Sequence, residues 1–117
     1  MFGLSAAVRV YLAKEPADMR KSFDGLCGLV RSVLLADPLD GSLFLFVNRR
    51  GDRIKMLWWD RDGLALFYKR LESGTFEMLR PDGEAVALEL DATELAMLLS
   101  GVSLDSVKRR KRYARAS

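Results

Sequence analysis

Between Leu43 and Leu71 three apolar runs alternate with two short polar links. Residues 43–47 (LFLFV), 54–59 (IKMLWW) and 64–68 (LALFY) are the runs. Arg49-Arg50-Gly51-Asp52-Arg53 and Asp60-Arg61-Asp62-Gly63 are the links. Runs rich in aromatic and branched side chains, bounded by Gly, Asn and Asp, predict strands joined by hairpins, here a three-stranded antiparallel meander. The first run is apolar throughout, which predicts a central strand buried on both faces. In the second, Ile54, Met56 and Trp58 point one way and Lys55, Leu57 and Trp59 the other, so neighbouring tryptophans lie on opposite faces. In the third, Leu64, Leu66 and Tyr68 share one face, Ala65, Phe67 and Lys69 the other.

The flanks add strands and two helices. Val8 to Ala13 alternates as a half-buried strand. Asp18 has the chemistry of a helix N-cap, and Met19, Phe23, Leu26, Val30 and Val33 or Leu34 recur at helical spacing, which predicts an amphipathic helix over 19–35. Gly25 and Gly28 weaken that helix unless they allow close approach to the sheet. Ala36 to Gly41 reads as a loop. Thr75 to Leu79 predicts a fourth meander strand, and Ala85 to Leu90 a last one. Asp91-Ala92-Thr93-Glu94 has the form of a capping box, followed by Leu95, Leu98 and Leu99 and stopped by Gly101. The expected fold is α+β: an antiparallel meander sheet of about five to six strands, one long amphipathic helix on one face, and a short C-terminal helix. Residues 1–107 are expected to form a single domain and 108–117 a basic tail.

Composition narrows the chemistry. The chain has 117 residues, 50% of them hydrophobic and 30% charged, as expected of one globular domain. It has one cysteine and no histidine, so neither a disulfide nor a usual zinc set is available within it. Cys27 lies beside the apolar stripe and reads as a small core residue, since no histidine can activate it. The segment MFGLSAAVRV lacks a basic lead-in, and no run is long enough to span a membrane, so a cytoplasmic protein is expected.

Charge is uneven. Residues 108–115 (KRRKRYAR) hold six of the 19 basic side chains and no acid. The rest has thirteen basic against 16 acidic residues, a formal charge of −3. Arms such as Lys108, Arg109, Arg110, Lys111 and Arg112 commonly meet phosphate backbones, although short basic runs are also frequent as solvated tails. Arg49, Arg50, Arg53 and Lys55 gather at the first hairpin. Lys69 and Arg70 end the third meander strand, which returns to the same end of the sheet. With Arg20 and Lys21 at a helix start, these cations can form one phosphate-binding patch. The competing reading is a set of solvated turn residues paired with Asp18, Asp52 and Glu72. Asp60, Asp62 and Glu72 are the carboxylates nearest a magnesium-site pattern, yet a D-x-D-G turn explains the aspartates by backbone hydrogen bonding alone. One ring of Trp58-Trp59 can stack on a base only if it is not packed. No enzyme signature survives, and no cofactor or metal is expected.

The ordered motifs ADMRKSFDGL (17–26), RRGDRIK (49–55), LWWD (57–60) and FYKRLE (67–72) resemble the TnpB-type accessory proteins of insertion-sequence family 66, encoded by the second open reading frame of those elements. The likeness runs from about Val8 to Gly101 and excludes the basic tail. Ser22 and Arg61 stand where that pattern has, or commonly has, glycine. The resemblance implies a non-catalytic accessory of transposition, encoded beside a separate and much larger transposase that carries acidic catalytic residues. DNA, at element ends or target, and that transposase are the expected partners. The rival to DNA binding is an adaptor that docks the transposase through an apolar sheet face or edge.

Overall fold

A central strand, buried at every position, organises the protein. The computed structural model describes residues 8–77 and 83–101. In chain order they form β1 (Val10–Ala13), α1 (Phe23–Ser32), β2 (Leu43–Val47), β3 (Arg53–Asp60), β4 (Gly63–Arg70), β5 (Ala87–Leu90) and α2 (Ala92–Leu99). The five strands make one sheet in the order β4-β3-β2-β1-β5.

The sheet is mixed, which corrects the antiparallel meander expected from the sequence. β2, β3 and β4 do form a meander, with Phe44 opposite Leu57 and Met56 opposite Phe67. β1, however, lies parallel to β2, with Val10 opposite Leu43, and antiparallel to β5, with Val10 opposite Leu90. The cause is the helix between β1 and β2: a crossover carries the chain back before the next strand begins, so the two strands run the same way.

The helices are short, with 10 residues in α1 and eight in α2, so the single long helix is also corrected. Asp18 is not its N-cap. Its carboxylate instead accepts from the Arg20 backbone N–H (2.9 Å) and grips the Arg20 guanidinium. Ser22 occupies the cap position without a side-chain bond. Residues 19–22 stay out of the helix because the Met19 and Lys21 carbonyls both accept from Lys55 Nζ, at 2.8 Å each. At the other end Leu35, with φ 53°, turns the chain, and Ala36 N–H reaches back to Val30 O. Gly25 and Gly28 do not serve close packing on the sheet. The atoms nearest a Cβ at Gly25 would be those of the Lys21 side chain, and at Gly28 nothing lies within 4 Å.

Each face of the sheet buries its own core. Leu26, Cys27 and Val30 of α1 pack with Leu34 on Ala13, Phe44, Phe46 and Leu57. Leu95, Leu98 and Leu99 of α2 pack with Phe76 on Val10, Leu12, Leu43, Leu45, Ile54 and Met56. α2 starts as its sequence predicts: Asp91 accepts from the Glu94 N–H (2.7 Å) and Glu94 from the Asp91 N–H (3.1 Å). The expected strand from Thr75 does not form over 75–77, and its remaining residues, 78 and 79, lie outside the described residues. Phe76 is instead buried and donates its N–H to Gly51 O at 2.7 Å, which fastens the chain beneath the β2–β3 turn. Among the described residues β4 is therefore left as an edge strand.

Candidate nucleic-acid interface

The C-terminal ends of the parallel pair β1 and β2 open onto one rim of the sheet. The β2–β3 turn stands at its centre. Asn48 builds it: its carbonyl accepts from the Gly51 N–H (3.0 Å), its side-chain oxygen from the Arg53 N–H (3.0 Å), and its amide donates to Asp52 (2.8 Å). Gly51, at φ 80°, supplies the left-handed step that closes the turn, a conformation that costs any other residue. Three neighbouring segments hold the turn from outside. Ala17 N–H binds Val47 O, Leu71 N–H binds Asp52 O, and Phe76 N–H binds Gly51 O. Arg49 and Arg50 are thus the two tip residues of a fixed turn. Both are exposed, and neither makes an ion pair or hydrogen bond with another described residue.

Shallow clefts flank the turn on either side. One is lined by Ala17, Asp18, Met19, Asn48, Asp52 and Arg53, the other by Lys14, Glu15, Pro16, Thr75 and Phe76, and Arg49 and Arg50 border both. Lys14 belongs to this rim and was not singled out from the sequence. Only the parallel pairing of β1 with β2 brings its position beside Arg49, and strand patterning carries no direction.

The other cations expected at the site are placed variously. Arg53 and Arg70 are opposite one another on β3 and β4, so the hairpin geometry does bring the ends of these strands together. Arg53 donates to the Tyr68 hydroxyl (3.0 Å), and Arg70 pairs with Glu72 (3.0 Å). Arg20 is held by Asp18 at 2.7 Å, and its guanidinium, with the added charge of Lys21, lowers the Asp18 carboxyl to about 2. The Asn48 amide, helped by Arg50 and Arg53, holds Asp52 below the usual carboxylate range. Lys21 is exposed.

Two lysines are engaged inside the protein. Lys55 is 6% exposed, with its ammonium on the Met19 and Lys21 carbonyls and 4.6 Å from the centre of the Tyr68 ring. Lys69 donates to Leu99 O at 2.6 Å, where a cation complements the carbonyl end of α2. Residues 108–112 lie outside the described residues.

The remaining chemistry lies elsewhere. Trp58 packs against the α2-side core, and Trp59, half-buried, is opposite Leu64 near the far end of the sheet. Asp60 and Asp62 belong to the β3–β4 turn at that far end, whereas Glu72 follows the other end of β4, roughly 25 Å along the strand. These three carboxylates cannot share one ion. Burial pushes the Cys27 thiol up, consistent with a core residue.

The sequence profile of the family described as IS66 Orf2 like protein (TnpB_IS66) matches residues 8–109. The chain belongs to this family. It is 39% identical over 110 residues to the uncharacterized protein y4jC of Sinorhizobium fredii, covering 94% of this chain and 92% of that protein. It is 42% identical over 95 residues to the uncharacterized protein y4hO of the same organism, covering 81% of each. No solved structure matches it. Membership in the IS66 Orf2-like family implies an accessory role in insertion-sequence transposition, in a family not known for catalysis. The match continues past Gly101 to Arg109, so this family's pattern reaches the first residues of the basic tail. Among the described residues no helix is long and apolar enough to cross a membrane.

Proposed function

We propose that this IS66 Orf2-like protein serves transposition by holding DNA through its phosphates, with Arg49 and Arg50 as the contact point and Lys21 and Arg53 beside it. One observation carries the reading: two adjacent arginines project from the tip of a turn fixed by Asn48 and by three outside segments, and no described residue forms a hydrogen bond or close ion pair with either side chain. A rigid turn loses little entropy on binding, and unpaired guanidinium groups match phosphate oxygens in a bidentate fork. Such contacts fix orientation on a duplex without reading sequence. Arg20 and Arg70, already bound to carboxylates, and Lys14, Lys55 and Lys69, bonded to carbonyls, contribute less or nothing to this surface.

The test is binding of a labelled duplex followed by anisotropy over a range of KCl concentrations. Each phosphate neutralised adds about 0.9 to the slope of log affinity against log salt. Replacing Arg49 and Arg50 together with Ala is expected to reduce that slope by about 2. A slope that stays unchanged removes the turn from the interface. Capture of the transposase without DNA, persisting at high salt, combined with no salt-dependent DNA binding, assigns the adaptor role instead.

A further inference from the structure

The two edges of the sheet are finished differently. β5 is four residues long, with the exposed Glu89 near its middle, a short charged strand that resists pairing with another chain. β4 is eight residues long, has no proline, and carries charge only at Lys69 and Arg70. Its register with β3 is unbroken from Gly63 to Arg70. The bond from Leu71 N–H to Asp52 O fixes the alternation: odd-numbered residues of β4 bond to β3, and Leu64, Leu66, Tyr68 and Arg70 direct their backbone N–H and C=O groups outward. Among the described residues no other backbone segment bonds to those groups. The apolar side chains of this strand, Leu64 to Phe67, are all only half-buried.

We infer that the outer side of β4 is an interface for a second copy of this chain, paired antiparallel about Leu66 to extend the two sheets into one. Charge along the strand selects this occupant. The turn that leads into β4, Asp60-Arg61-Asp62, is net negative by one, and the other end, with Lys69, Arg70 and Glu72, is net positive by one. An edge that is negative at one end and positive at the other is complementary to itself when turned by a two-fold axis. With Leu66 facing Leu66, Leu64 faces Tyr68 and Asp62 faces Arg70, each twice by symmetry. Moving the centre to Phe67 sets Leu64 against Arg70 and loses both Asp62–Arg70 contacts, and parallel pairing sets Lys69 and Arg70 against themselves. Arg70 already touches Glu72, but that pair is exposed and weak, and a guanidinium has donors for both carboxylates.

Sedimentation equilibrium of the full chain without DNA tests this independently of the DNA-binding reading. The wild type forms a dimer. Asp62→Arg alone and Arg70→Asp alone each place like charges opposite one another twice, and each weakens the dimer about tenfold or more. An equimolar mixture of the two variants restores association, because each supplies the charge the other needs. Both positions are exposed, so the monomer fold is kept, which circular dichroism checks. Leu66→Cys crosslinks to itself on mild oxidation, since Cα atoms about 5.5 Å apart fit a disulfide, whereas Tyr68→Cys alone does not. A monomer at every concentration, a dimer indifferent to both swaps, a mixture that stays dissociated, or a Leu66→Cys protein that does not crosslink overturns the proposal.

Discussion

Arg61 and Leu35 hold left-handed backbone without being glycine, at φ 57° and φ 53°. Asp62 N–H donates to Asp60 O at 2.6 Å, which closes a three-residue turn around Arg61, a strained geometry for any residue with a Cβ. Leu35, 81% exposed, gains little burial to offset its own strain. The clash of Cβ with the carbonyl in this region costs roughly 1–2 kcal/mol, part of which a glycine returns through its more flexible unfolded chain. Arg61→Gly and Leu35→Gly are each expected to raise stability by about 1 kcal/mol in urea unfolding; a loss in either denies that strain. Asp18 gives a second prediction at this scale. Its carboxyl is lowered to about 2 by the Arg20 hydrogen bonds, so this contribution is whole above the unfolded value near 4 and fades as pH falls toward 2. Arg20→Ala should raise the Asp18 midpoint toward the ordinary carboxylate value in an NMR titration, and an unmoved midpoint would assign the shift to something else.

Among the elements, what could be read from the sequence depended on how far apart the deciding groups lie. The capping box of α2 spans four residues, Asp91 to Glu94, so its signal is complete within the chain segment it controls. The burial of β2 was legible too, because an all-apolar run needs cover on both faces. The start of α1 was not, because Lys55, more than 30 positions away, takes the Met19 and Lys21 carbonyls. Nor was Lys55 legible as an interior group: alternation put it on one face with Leu57 and Trp59, but only the fold shows two carbonyls and the Tyr68 ring converging there. Convergence of the β3 start with the β4 end was legible, since hairpin register is local. Lys55→Met is therefore expected to cost about 2 kcal/mol or more, by stranding two part-buried carbonyl acceptors. Hydrogen exchange locates the damage: amides of residues 19–26 should exchange faster while β2 and β3 keep their protection. Uniform loss across the sheet would show that Lys55 acts through the core and not through this segment.

Over the whole molecule, carboxylates and carbonyls thin the cationic rim, and the tail reverses the balance. Without residues 108–117 the formal charge is −3; the tail's six cations bring the chain to +3. A net-negative body repels DNA at long range, so the Arg49-Arg50 tip can engage phosphates only over short distances, within about 8 Å at physiological salt. On the proposed DNA-binding reading, the tail supplies long-range attraction, which acts on association rate and on the salt slope. The two sets of cations then do separable work, and two variants separate them. Removing residues 108–117 is expected to reduce the salt slope by up to about 5, one phosphate for each lost cation, and to slow association most at low salt. Replacing Arg49 and Arg50 with Ala reduces the slope by about 2 in the full chain and by the same amount in the shortened one, because distant contacts add. If the turn variant alters the slope only when the tail is present, the tail and the turn hold the same phosphates and the rim is not a site of its own. If neither change moves it, binding does not run through phosphates, and the accessory role rests on contact with protein.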